Sequence, residues 1–141
     1  MAPRLDAAGV TAFLESVFPD ASEMFAIEDV KDHWARVRLV FTERRLRPGG
    51  TVSGPALMTL ADTAMWVALL GMIGPEPLSV TSSLHIDFLR KPGPRDVVAD
   101  AELLKLGKRL AVGAVTMRSD SEVAPCAHAT VTYAIPSSYQ G

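Results

Sequence analysis

PGGTVSGPALMTLADTAMWVALLGMIGP, residues 48–75, carries one charged side chain, Asp62, in an otherwise apolar helical pattern. Pro55 sits where a first helical residue belongs, with Ser53 or Gly54 as the cap, and Gly74-Pro75 stops the helix after about Met72. Ala56, Leu57, Leu60, Ala61, Ala64, Met65, Trp66, Val67, Leu69 and Leu70 leave no broad polar face. A helix that is apolar all round must be buried on most sides. One curved sheet covers only part of such a helix, so a second subunit is expected on the remainder. An ionised carboxylate within it is disfavoured unless something pairs with it or the site opens to water. Asp62 therefore either anchors a local network or reacts.

Outward from this helix, the pattern changes period. Upstream, Val10, Phe13, Leu14, Val17 and Phe18 are spaced as a short first helix ended by Pro19. Met24 to Asp29 and His33 to Phe41 read as strands, the second alternating Ala35, Val37, Leu39 and Phe41 with Arg36 and Arg38, with a hairpin turn near Lys31-Asp32. The basic stretch Arg44-Arg45-Leu46-Arg47 and the turn Pro48-Gly49-Gly50 lead into the long helix. Downstream, Leu78 to Leu89 puts Ser82, Leu84, Ile86 and Phe88 on one face and Ser83, His85, Asp87 and Leu89 on the other, and Pro92-Gly93-Pro94 ends it. Asp96 to Leu106 and Lys108 to Arg118 flank Gly107 as a hairpin, and Cys126 to Ile135 forms a last strand. The order α-β-β-α-β-β-β-β predicts an α+β domain. Gly113 and Pro125 predict bulges or bends, as a sheet curling around the helix requires.

The chain has 141 residues, 48% apolar and 21% charged, which fits one domain spanning residues 1–141. Its net charge of −2 and pI near 5.9 give no global field for nucleic acid or anionic lipid. Cys126, the single cysteine, has no internal disulfide partner, which suits a reducing compartment. Residues 1–20 carry Asp6 and Glu15 and lack the apolar core of a signal peptide, and Ala64 to Ile73 is about half of the ~20 residues that span a bilayer. A cytoplasmic protein is expected.

The helix opening Gly50-Thr51-Val52-Ser53-Gly54-Pro55 and carrying Leu60-Ala61-Asp62-Thr63-Ala64, followed by Ile86-Asp87-Phe88-Leu89-Arg90-Lys91-Pro92, resembles the hotdog-fold acyl-CoA thioesterases of the phenylacetate-pathway (PaaI-like) family. The resemblance implies a curved antiparallel sheet wrapped around the long helix. It also implies homodimers with a joined sheet, often paired into tetramers. The implied activity is hydrolysis of an acyl-CoA thioester to a carboxylic acid and free coenzyme A. No metal or redox cofactor is implied, and coenzyme A enters as part of the substrate. Residue by residue, Asp62 matches the helix carboxylate that activates water or attacks the carbonyl. Gly54 matches the backbone N–H that polarises the carbonyl oxygen. Thr81 matches the strand hydroxyl that positions water, with Ser82 or Ser83 as neighbours if the register slips. Where the family commonly has His-Gly-Gly this chain has Ser53-Gly54-Pro55, and where it commonly has Asn this chain has Arg47. Ser53 can donate a hydrogen bond there and Arg47 can serve as a cationic clamp. Arg90 and Lys91 lie where a bound pantetheine arm would emerge toward its phosphates.

Gly54 and Asp62 lie just over two helical turns apart, about 12 Å at 1.5 Å per residue, too far for both to touch one carbonyl. Two helices antiparallel across a dimer axis would bring Gly54 of one chain to Asp62 of the other. His85 with Asp87, and Cys126 with His128, share strand faces, yet such neighbours are usually solvated or cross-strand partners. Three convergent metal ligands are not seen. The other readings are a non-catalytic acyl-CoA-binding hotdog dimer and a hotdog hydratase or dehydratase. The latter needs a His that the helix start lacks.

Overall fold

A computed structural model describes residues 2–47 and 49–139, with the side chains of residues 21, 22 and 45–47 outside that description. In chain order the elements are α1 (Ala7–Val17), α2 (Ala21–Met24), β1 (Phe25–Lys31), β2 (Trp34–Leu39), β3 (Leu46–Arg47), β4 (Thr51–Val52), α3 (Gly54–Ile73), β5 (Val80–Phe88), β6 (Val97–Leu106), β7 (Leu110–Ser119) and β8 (Ala127–Ala134). Six strands form one antiparallel sheet in the order β1-β2-β6-β7-β8-β5, and β3 and β4 pair separately. The α3 helix lies on one face of that sheet and touches all six strands. This is the hotdog architecture that the family resemblance implied.

Helix α3 begins and ends where its punctuation predicts. Ser53 is the cap, its side chain accepting from the Ala56 N–H, and Gly54 rather than Pro55 is the first helical residue. Gly74, at φ +88°, ends it in a backbone region that glycine adopts without strain. The helix is long and apolar enough to cross a membrane, but most of it is buried inside this domain. Its second half, from Val67 to Ile73, is covered by the chain itself. Val10 and Leu14 of α1 join its core, the rings of Phe13 and Phe18 meet Trp66 edge-on, and the N–H groups of Arg4 and Leu5 bond to the Gly71 carbonyl. The need for a second subunit is therefore narrower than the all-round apolar pattern suggested. What stays open is one strip along the first half: Pro55, Met58, Thr59, Asp62, Thr63 and Trp66.

The alternation of the strands is borne out with one consequential exception. Leu84, Ile86 and Phe88 of β5 face the helix opposite Val131, Ala129 and Ala127 of β8, and Ser83, His85 and Asp87 face outward. Strict alternation would place Ser82 inside and Thr81 outside. Instead the register shifts between Thr81 and Ser83, so Ser82 is the extra residue of a bulge and Thr81 pairs with inward-facing Tyr133. A second bulge falls at Leu104 of β6, opposite the predicted bend at Gly113. Gly113 itself is a close-approach position. A Cβ there would sit 2.4 Å from Met65 Sδ and 3.1 Å from the Glu102 carbonyl oxygen. Gly113→Ala is expected to destabilise the fold by about 1–3 kcal/mol, the usual result of overpacking, measurable as a lower denaturant midpoint at unchanged slope.

The basic stretch before the helix is not an irregular loop: Leu46 and Arg47 pair with Val52 and Thr51 in a small hairpin. On the outer face of the large sheet, Asp100 accepts from Arg36 at 2.6 Å and Arg118 at 2.8 Å. Burial pushes the Asp100 carboxyl up, and these two guanidinium groups outweigh it, leaving the group below its ordinary value. The rigid ladder this network laces lies on the opposite side from Asp62.

Candidate active site

Asp62 lies on the open strip of α3, half-buried, where two strands reach it. The Thr81 hydroxyl donates to Asp62 Oδ1 at 2.5 Å, and the Tyr133 hydroxyl donates to the same oxygen at 2.9 Å while lying 3.2 Å from the Asp62 carbonyl oxygen. Thr81 gets there only because the Ser82 bulge turns it inward. Tyr133 is 4% exposed. Burial, and then the neighbouring Asp62 charge, push its phenol far above the ordinary value, so it remains an O–H donor at any working pH. Among the described residues nothing bonds to Asp62 Oδ2.

Beside this carboxylate is a hollow of about 390 Å³ whose walls include Leu14, Phe18, Met24, Phe25 and Trp66. Its polar members are Asp20, Thr59, Thr63 and the Asp62–Tyr133 pair, and among the described residues no cation lines it. Trp66 of α3 lines the hollow, whereas Met65 and Met72 of the same helix do not. Met65 packs at Gly113, and Met72 Sδ accepts from the His33 N–H at 3.3 Å.

At the start of α3 the backbone leaves one donor uncommitted. The Ala56 N–H goes to Ser53 Oγ and the Leu57 N–H to the Ser53 carbonyl, both at 3.2 Å, and Pro55 has none. Among the described residues only Gly54 of this first turn keeps an N–H without an acceptor. It opens on a second hollow, of about 400 Å³, lined also by Thr51, Leu57, Phe88, Arg90 and Lys91. Among the described residues the two hollows share no lining residue.

The remaining expected site residues are placed as follows. Ser53 uses a lone pair for its cap and keeps its own proton to donate. Ser82 is exposed in the bulge. Arg90 is tethered through Nε to the Pro125 carbonyl at 2.9 Å, and Lys91 is exposed beside it. The Arg47 side chain lies outside the described residues. His85 and Asp87, 3.2 Å apart, lie on the outer face with His128 opposite Asp87. Cys126 is buried, and that burial pushes its thiol up, away from the thiolate form. Among the described residues no cluster of three or more His, Cys, Asp or Glu could hold a metal ion. Tyr133 was absent from the sequence-based site. Its signal was present in the alternation of β8, which puts Ala129, Val131 and Tyr133 on the inner face, but its partner on α3 is not visible in one strand.

The family model of the thioesterase superfamily matches residues 49–126, from the turn before α3 to the start of β8, more than half of the chain. The chain belongs to that superfamily. Three similar proteins fill in the picture. A solved structure described as a putative thioesterase from Silicibacter sp. TM1040 is 44% identical, covering 96% of this chain and 95% of that one, with a TM-score of 0.90. A mutant of the phenylacetic acid degradation protein PaaI from Thermus thermophilus is 26% identical, covering 84% and 99%, with a TM-score of 0.72. Among curated proteins, a putative esterase of Halobacterium salinarum is 27% identical over 129 residues, 84% of each chain. This thioesterase is thus a PaaI-like hotdog enzyme, an acyl-thioester hydrolase.

Proposed function

We propose that this thioesterase hydrolyses acyl-CoA esters to a carboxylic acid and free coenzyme A, at a site completed by two copies of the chain. The observation that carries the reading is the separation of the two halves of the machinery. The anchored carboxylate of Asp62 and the uncommitted N–H of Gly54 open on different hollows of one chain. A second copy with its α3 antiparallel to the first joins one half of each. The arrangement is favoured by β5, a sheet edge with one side unpaired among the described residues and with Val80 and Phe88 exposed along it. Pairing of β5 with its copy about a two-fold axis would join the sheets and cover those side chains. Pairing of two such dimers into a tetramer is compatible with the same site.

In the composite site the thioester carbonyl oxygen accepts from the Gly54 N–H of one copy. With Asp62 of the other copy as base, the water oxygen bonds to the carbonyl carbon and its proton passes to Asp62 Oδ2. The C–S bond then breaks, and the sulfur leaves with that proton as the thiol. Asp62 attacking through the same oxygen would give a mixed anhydride that water cleaves to the same products. The acyl group occupies the aromatic hollow. With Asp20 on its wall and no cation among its described lining residues, that hollow favours uncharged acyl groups over those ending in a carboxylate. Ser53 and the bulge residue Ser82 flank the reacting group, and Arg47, Arg90 and Lys91 meet the phosphates of coenzyme A. The proposed reaction draws on no cofactor beyond the coenzyme carried by the substrate, and the lone thiol of Cys126 fits a cytoplasmic setting.

The test is thiol release by the purified protein from a panel of short, long, aryl and dicarboxylic acyl-CoA esters. Release from the uncharged classes, weakest for the dicarboxylic ones, is expected. An absence of release from every ester would contradict the proposal.

A further inference from the structure

We infer that Tyr133 is a positioning residue for the hydrolytic step, acting with Thr81 as a two-donor clamp that fixes Asp62 Oδ1 and leaves Oδ2 to react. The inference rests on the proposed thioesterase reading and goes beyond it, because Tyr133 enters no step of that scheme and Thr81 is given a different task from holding water.

A carboxylate on a helix rotates about its last torsion, and only one of its oxygens can face the thioester at a time. Here both hydroxyls within reach donate to the same oxygen, Thr81 at 2.5 Å and Tyr133 at 2.9 Å. Two donors from neighbouring strands hold one carboxylate oxygen, and the second oxygen has no partner among the described residues. Such hydrogen bonds to an ionised acceptor are short and strong. The phenol is held as firmly as its target. Tyr133 is buried in β8, paired with Ala111 on one side and Thr81 on the other. The burial also makes the hydroxyl costly to leave unpaired, so the ring and the carboxylate fix one another. When Asp62 Oδ2 takes a proton, Oδ1 becomes the carbonyl oxygen of the acid and still accepts both donors. The clamp therefore persists through proton transfer. The bulge at Ser82 has a purpose in this account: it uses one residue of β5 to swing the Thr81 hydroxyl through the sheet to the helix side.

The test compares Tyr133→Phe, Thr81→Val and Thr81→Ser with wild type on the best ester of the panel, together with their thermal midpoints. Tyr133→Phe keeps the ring and its packing, and is expected to lower kcat about tenfold, the scale of one charge-assisted hydrogen bond, with KM changed less than about twofold. Thr81→Val should do the same, Thr81→Ser should retain wild-type kcat, and the double variant should lose at least the product of the single losses. A kcat unchanged in Tyr133→Phe, or a loss carried by KM alone, would overturn the clamp. Should Tyr133→Phe fail to fold, the Thr81→Val and Thr81→Ser contrast decides: equal kcat in the two would overturn it. Active wild type, inactive Asp62→Asn and unaffected Tyr133→Phe would leave the thioesterase reading standing and remove this inference alone. An inactive wild type would remove the reading itself.

Discussion

Asp62→Asn is expected to lower kcat for thioester hydrolysis by about 10²–10⁴-fold, the range for loss of a positioned acid–base group, while the protein stays folded. The structure makes this substitution a clean one. The asparagine carbonyl oxygen can occupy the place of Oδ1 and accept the same two donors, Thr81 and Tyr133. The amide nitrogen then stands where Oδ2 was, with no basic lone pair and no nucleophilic charge. Packing and the local hydrogen bonds are conserved and the reacting atom alone is lost, so KM and the thermal midpoint should move little. If Asp62 were structural, the pattern would invert, with a lower midpoint and a near-normal kcat in the surviving folded fraction. Steady-state rates with the substrate that ranks first in the panel, alongside thermal melts, separate the two.

The second large effect is expected at a backbone atom. Gly54→Pro should reduce kcat by about 10²–10³-fold, the consequence of removing one oxyanion donor. Proline deletes the N–H, and the first helical position tolerates it because that N–H has no helical acceptor. Ser53 already has φ −69° and ψ 153°, the extended conformation that a residue before proline adopts. Gly54→Ala is the companion variant. It retains the N–H and adds a Cβ 3.4 Å from the exposed Phe88 ring, which can give way. The alanine variant should therefore keep a rate within a few fold of wild type. Equal losses in the two would assign the effect to crowding at Phe88 and remove Gly54 as a donor.

Much of this was legible because it is local. A helix cap, a proline at the helix start and a glycine after its end are properties of a few adjacent residues, and Ser53 and Gly74 bound α3, which starts one residue before Pro55. Period-two alternation identified the strands, and a single charge in an apolar helix pointed to Asp62. Even the uniqueness of the Gly54 N–H is partly written in the chain, since a capping Ser53 and a proline at 55 dispose of its neighbours. What could not be read is what two strands decide together. Whether Thr81 faces the helix depends on an extra residue in β5 relative to β8, and alternation alone would have turned it outward. Tyr133 lies on the inner face of β8 with Ala129 and Val131, yet its meeting with Asp62 follows from how α3 crosses the sheet. The pairing of β3 with β4 and the covering of α3 by α1 are likewise tertiary events with weak local signals, so the apolar helix seemed to need more of a partner than it does.

The shared site is tested most directly by mixing the two damaged subunits. Asp62→Asn and Gly54→Pro proteins, each inactive alone, would be unfolded together, refolded and assayed for thiol release. If each site takes Gly54 from one copy and Asp62 from the other, every mixed dimer regains one intact site. Random pairing of the copies then returns activity to about a quarter of wild type. If each site were complete within one chain, every subunit in the mixture would still carry its own lesion, and no activity would return.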